Sequence, residues 1–317
     1  MKKLVSLVLA LMLCLSCVSA LAAEAWTVTC PWAPSGVAAM VNQKAASLST
    51  TYSQDYVLVA NAEKGDTATI NSWLTKYTEA DPQMCFIGEG MFGITAILDP
   101  ERMNFTYDDF KYVENLYSSI FVASARKELG ITSIDALKAY LEEGNQIMVG
   151  TNGATGSEAF LAAALIGAMG YGDQFYLIPY ESAAEAAQAV ARGEVDIAVS
   201  HQSQILETWQ QGGVDVFAAF DGKPIAQGPF KGVEGVGQYG YPYFRNRCFI
   251  FAKAGADEQK IADLKALYAQ ILTDEEMVDW LNNTMLLEAD VMTEEEVIAH
   301  IDNVKNIVDE YYDLVAE

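Results

Sequence analysis

The feature that most narrows this sequence is a repeating order: a short β-branched or aromatic run, a turn rich in Gly or Pro, then an amphipathic stretch. Residues 26–30 (WTVTC) are such a run, stopped by Pro31-Trp32-Ala33-Pro34-Ser35-Gly36 and followed by a helical pattern over 37–48. The runs 56–60 (YVLVA) and 84–88 (MCFIG) flank a helix over 70–77. Strands joined through helices lie parallel, with the crossover helices on the sheet faces. New strand material begins over 120–125, and Ser133 caps a helix over 134–143. A second series follows: 147–150 (IMVG), a helix over 158–169, 175–178 (FYLI), a helix opened by Ser182 and Glu185 and stopped at Gly193, then 195–199 (VDIAV). Residues 221–247 lack periodicity and read as a long connection, 248–252 (CFIFA) as a strand, and the rest as helices with capping boxes at Thr273/Glu276 and Thr293/Glu296.

The second series is complete by itself, so the final strand and helices return to the first. A length of 317 residues suits two domains. The expected division is lobe 1 over 23–125 plus 225–317 and lobe 2 over 126–224, joined by two crossings with a ligand cleft between them.

Ahead of this lies an export segment. Lys2 and Lys3 precede an uncharged apolar run over 4–15, too short for a bilayer span, and Ala20-Leu21-Ala22 offers a cleavage site. Residues 1–22 are expected to be a secretory signal, which makes the protein periplasmic or extracytoplasmic; Cys17, after Leu15-Ser16, leaves lipid anchoring open. Cys30, Cys85 and Cys248 remain in the exported chain. Three thiols cannot all pair, so a single disulfide among them is an open alternative to none. No CxxC occurs, and the two histidines, His201 and His300, are far apart in sequence, so no metal or other cofactor is expected. With 43 acidic against 19 basic residues the formal net charge is −24, which repels phosphate backbones and argues against nucleic acid as a partner.

In so acidic a chain, three uncharged loops stand out. Residues 25–43 and 147–157 carry no charged side chain, and 197–206 carry only His201. Pro34-Ser35-Gly36 and Thr155-Gly156-Ser157 each stand just before a helix, where unpartnered N–H groups and the positive helix end hold an anion without Lys or Arg. The same residues also suit plain turns and caps. Trp32 offers an apolar wall for a ligand or a cover for the core, and His201 a cleft residue or a structural one. Gly150–Ser157 lacks the lysine of a phosphate-binding loop, and no nucleophile motif of the HExxH or GxSxG kind is present.

These residues bring a family into view. The mature chain resembles the extracytoplasmic solute-binding receptors of tripartite tricarboxylate transporters. Pro31-Trp32-Ala33-Pro34-Ser35-Gly36-Val37-Ala38-Ala39 occupies the place of the family's P-F/W-x-P-G-G-x-x-D loop, and Asn61 with Gly65 that of the turn after the second strand. Residues 105–113 (FTYDDFKYV) are similar to its Y-D-x-x-x-D-F-x-x-V run, Gly156-Ser157 with Phe160-Leu161 to G-S-x-x-H-L, and Pro179-Tyr180 with Gly193-Glu194-Val195-Asp196 to P-Y-x-G and G-x-V-D. Ala39 replaces the usual aspartate, Ser35 the first of the paired glycines and Phe160 the histidine.

The resemblance implies an α/β, two-lobed periplasmic-binding fold of type II whose lobes close on a small carboxylate, a non-enzymatic monomer serving membrane permease subunits. It places the carboxylate on the loops after the first and fourth strands. The expected ligand-binding residues are Trp32, Ser35, Gly36, Val37 and Ala38 on one side and Thr151, Asn152, Thr155, Gly156 and Ser157 on the other, with Ser200 adding a hydroxyl. Two other functions remain open to the sequence: a ligand sensor for a signalling kinase, and an exported hydrolase.

Overall fold

The computed structural model describes residues 23–316. The expected signal, with Cys14 and Cys17, lies outside the described residues.

Two five-stranded sheets carry the fold. The first is built from β1 (Glu24–Cys30), β2 (Tyr56–Ala62), β3 (Gln83–Gly88), β4 (Phe110–Ser119) and β10 (Asn246–Lys253), in the order β2-β1-β3-β10-β4. The helices α1 (Val37–Tyr52) and α2 (Thr67–Lys76) make its crossovers. The second holds β5 (Phe121–Arg126), β6 (Ile147–Asn152), β7 (Phe175–Tyr180), β8 (Ile197–His201) and β9 (Val214–Ala219), in the order β7-β6-β8-β5-β9. Its helices are α3 (Ile134–Glu142), α4 (Ser157–Ala168), α5 (Ala183–Ala191) and α6 (Gln202–Gln210). Then α7 (Glu258–Thr273) and α8 (Glu294–Glu310) complete the larger elements.

The sheets share one plan. In each, three adjacent strands pair in parallel, and the fourth position is taken by the strand that has just crossed from the other lobe: β10 in the first, β5 in the second. Both arriving strands run antiparallel to their two neighbours. The sheets are therefore mixed, where the strand–helix alternation alone predicts parallel ones. The first crossing falls at Ile120, ahead of the expected 125/126 boundary, because Val122 and Ala123 pair with Ser200 and Val199 of β8. The second returns through β10.

The ten-residue β4 has no counterpart in the sequence reading. All but one of its residues are buried, yet Glu114, Asn115, Ser118 and Ser119 break any apolar run or alternation. Their polar groups are met from elsewhere: Asn115 Nδ2 donates to Asp290 O at 2.7 Å, and Arg245 donates to Ser118 Oγ at 3.1 Å. One core of the first lobe lies between its sheet and α1 and α7, with Val28, Val41, Phe86, Leu264 and Tyr268 fully buried. The largest core is centred on Phe160 and Leu161 of α4 and receives Val304, Ile307 and Val308 from α8, so the last long helix packs on second-lobe residues. The thiols of Cys30, Cys85 and Cys248 are buried and unbridged. Among the described residues, no helix is long and apolar enough to cross a membrane.

Candidate functional site

The C-terminal ends of β1, β3, β6 and β8 meet at a cavity of about 710 Å³ between the two sheets. From the first lobe, Trp32, Ser35, Gly36, Val37 and Ala38 line it. The Trp32 ring lies 3.4 Å from where a side chain on Gly88 would begin, and it also packs on two cores of that lobe. The loop is braced from below, since the backbone N–H groups of Gly65 and Asp66 both donate to Pro31 O. Asp66, at a positive φ of 51°, reaches the cavity too.

Helix α1 starts openly. Its cap residue is Gly36, which supplies no side-chain acceptor, and its first turn holds no acid. Met40 N–H is the first to bond back to Gly36 O, and the N–H groups of Val37, Ala38 and Ala39 have no acceptor among the described residues. This is a free positive helix end at the edge of a cavity.

From the second lobe, Asn152, Thr155, Gly156 and Ser157 line the cavity. Ser157 faces Gly90 across the cleft, where a Cβ on the glycine would sit 3.8 Å from Ser157 Oγ. Thr151 and Ser200 do not line it. Thr151 is fully buried, its hydroxyl donating to Gly153 O at 2.8 Å to fold the loop. Ser200 is fully buried within β8 with no partner for its Oγ. Side chains alternate along a strand, and the next residue on each, Asn152 and His201, is the one that reaches the cavity.

His201 is held firmly. Its ring stacks on Phe121 at 4.4 Å, and Nδ1 lies 2.9 Å from Ser119 Oγ. Burial lowers its pKa to about 4, so it is neutral at physiological pH. The Ser119–His201 contact superficially suits a hydrolase, but Ser119 is buried at the crossing and does not line the cavity.

Two functional candidates were not singled out in the sequence. Glu89, just after β3, and Glu158, in the first turn of α4, are both buried and both line the cavity. Asn246 Nδ2 donates to Glu89 Oε1 at 3.0 Å and Arg247 N–H to its Oε2 at 2.9 Å. No other residue's donor is bonded to the Glu158 carboxylate among the described residues. Burial raises each pKa to about 7, and the charge of Glu89 adds to the rise at Glu158. The signal for them was an acid in otherwise small or apolar surroundings, in Gly88-Glu89-Gly90-Met91 and Ser157-Glu158-Ala159-Phe160.

A second cavity, about 630 Å³, is lined by Arg245 and Arg247 near the crossings. Its arginines are already spent on Asp221, Glu288 and Asp290. The interlobe cavity, with its unpartnered groups, is the candidate site.

Comparison with known proteins agrees with this architecture. A TctC solute-binding protein from Polaromonas, solved without ligand, superposes with a TM-score of 0.76 at 15% identity, over 90% of this chain and 98% of that one. The Rhodopseudomonas palustris protein Rpa4515, solved with adipate, gives 0.73 at 16% over 92% and 97%. MatC from the same organism, with bound malate, gives 0.67 at 17% over 92% and 98%. No curated protein sequence matches the chain. The family model described as tripartite tricarboxylate transporter family receptor matches residues 54–305. With that match running through well over half of its length, the chain belongs to the tripartite tricarboxylate transporter receptor family.

Proposed function

We propose that this receptor captures a small organic carboxylate in the interlobe cavity and delivers it to the membrane permease subunits of a tripartite transporter. It does so as an exported, non-enzymatic monomer. The observation that carries the reading is the open start of α1, where Val37 and Ala38, with unpartnered N–H groups, line the cavity. The bound adipate and malate of the two structural relatives are carboxylates of the same class.

The residues suggest an order of events. A ligand carboxylate is taken first by the Val37 and Ala38 N–H groups, with the Ser35 hydroxyl beside them and the Trp32 ring against the carbon skeleton. Asn152, Thr155 and Ser157 then engage from the other lobe. Those second contacts exist only when the lobes are together, so they supply the differential affinity that closes the cleft. Hydrolysis is not favoured, because Ser119 is buried and does not line the interlobe cavity.

The test is ligand-induced stabilisation of the mature chain over a panel of small carboxylates. At a hundredfold excess over Kd a true ligand adds about 2.7 kcal/mol of stability. Ser35 is exposed, so Ser35→Asp places a competing carboxylate at the α1 start with little effect on the apo protein. It is expected to weaken the best ligand by about tenfold or more. Undiminished binding by this variant would move the site away from α1.

A further inference from the structure

The charges on the cavity wall are one-sided. Its ionisable lining consists of Asp66, Glu89, Glu158 and Glu181 with the neutral His201 and the hydroxyl and thiol of Tyr117 and Cys248; no Lys or Arg lines it among the described residues. A ligand carrying only carboxylates would meet four acids there and no cation among the described residues.

Two of these acids are buried with no cation in salt-bridge contact among the described residues, and the Arg247 charge only partly offsets the burial of Glu89. Glu158 has less than a tenth of its surface exposed, and its carboxylate opens on the cavity without a donor from another residue. It also sits in the first turn of α4, where its charge offsets the positive helix end that a ligand carboxylate would otherwise use. Glu89 is held by amide donors alone. Arg247, the nearest cation in sequence to those donors, has its guanidinium turned to Asp290 at 2.6 Å and His300 at 3.0 Å. Burying a carboxylate without a counter-charge is costly, and a cation entering the cavity removes that cost. Opposite Glu158, on the first-lobe wall that also carries Glu89, α1 has free N–H groups and no acid in its first turn.

We infer that the cargo is a carboxylate that also bears an ammonium group, an amino acid in the broad sense: its carboxylate rests on the start of α1 and its ammonium between Glu89 and Glu158. This rests on the receptor reading above and narrows its ligand class. A chelated metal ion is the rival source of positive charge. It has less support, because no group of three or more potential metal ligands comes together among the described residues.

The sign of the pH dependence separates the cases. With both acids raised to about 7, an ammonium ligand favours their ionised forms, so binding releases protons and tightens as pH rises through about 7. A simple dicarboxylate needs them protonated and weakens over the same interval. His201, already neutral above its value of about 4, does not titrate there.

The experiment is calorimetric titration of the mature chain with matched pairs differing only in the amine: aspartate and succinate, glutamate and glutarate, alanine and propionate, 4-aminobutanoate and butanoate. Each is run with a chelator and with added divalent cation, below and above pH about 7. The expected result is one amino member binding about tenfold or more tighter than its partner without cation, with affinity rising with pH. Glu158→Gln and Glu89→Gln should each lose about tenfold or more of that affinity while the apo melting temperature holds or rises. Tighter binding of the members lacking an amine overturns the ammonium subsite and leaves the carboxylate receptor standing. Their binding only with divalent cation assigns the acids to a metal chelate instead. Binding by no member overturns both readings.

Discussion

At the scale of single residues, the cavity is decided by which polar groups are left without partners. Gly156 shows how a loop constrains that choice. A Cβ there would lie 2.7 Å from Asn152 O and 3.3 Å from Glu158 Oε2, so the glycine is required by the loop's own path as much as by any ligand. An aspartate at 156 would test folding, whereas Ser35→Asp tests binding. Glu89 and Glu158 give a prediction for the unliganded protein. A carboxyl whose folded pKa is raised keeps its proton where the unfolded chain has lost it. Its stabilising effect is complete below about 4.5 and gone above about 7. His201 and His300, lowered to about 4 and about 3, act oppositely: they add stability above 6.5 that is lost as pH falls. The readable quantity is therefore the difference between wild type and the Glu89→Gln/Glu158→Gln double variant. In urea titrations across this range the variant should gain on wild type by about 1–3 kcal/mol per site as pH rises from about 4.5 to about 7. A constant difference would mean that neither acid is held protonated. Much of the cavity lining is legible in the sequence, because an uncharged loop before a helix is visible there. The two acids were not, since what matters about them is the absence of a counter-ion, and only the fold reveals who their neighbours are.

Elements tell a similar story about local and non-local information. Caps depend on three or four consecutive residues, and the box at Thr293 forms as the sequence predicts: Thr293 N–H donates to Glu296 Oε2 at 2.8 Å and Glu296 N–H to Thr293 Oγ1 at 3.3 Å. At 273–276 the same spelling misleads. Helix α7 runs on through Thr273, whose hydroxyl donates back to Ala269 O, and Asp274 caps the next short helix by accepting from Met277 N–H at 3.0 Å. Asp274 wins because it also accepts from the Tyr52 hydroxyl on α1, a partner more than two hundred positions earlier. Ser133, which accepts from Ala136 N–H at the start of α3, is a cap in fact. Ser133→Ala is expected to cost about 1 kcal/mol and Thr273→Ala less than about 0.5 kcal/mol, read from urea midpoints at constant slope. Equal losses would reinstate Thr273 as a cap. Strands divide along the same line. The parallel strands β1, β2, β3, β6, β7 and β8 are apolar runs that need no partner to be recognised. Polar β4 becomes a strand only because β10, Asp290 and Arg245 satisfy its side chains and ladder.

For the whole molecule the question is what ties two sheets of identical plan together while leaving the cleft between them. The crossings at Ser119–Phe121 and at 220–245 run side by side, and Arg245 joins them. It donates to Asp221 Oδ2 and Glu288 Oε2, each at 2.6 Å, and to Ser118 Oγ at 3.1 Å. Asp221 closes the second-lobe sheet just after β9, Ser118 belongs to β4 of the first, and Glu288 pairs in backbone with Ser118. One guanidinium thus ties the two crossings to each other and to the segment at Glu288. Arg245→Leu leaves the buried Asp221 carboxylate without its cation, and removal of one partner from a buried pair costs about 3–5 kcal/mol. Glu288 is more exposed and adds less. The expected result is a drop of about 3 kcal/mol or more in unfolding free energy by urea titration. Ligand affinity measured well below the unfolding range should change little, because Arg245 lines the second cavity and not the interlobe one. A loss under about 1 kcal/mol would class the pair with exposed salt bridges. A large loss of affinity with stability intact would instead make Arg245 part of the closing motion, setting how the two lobes swing rather than how firmly their crossings are bound.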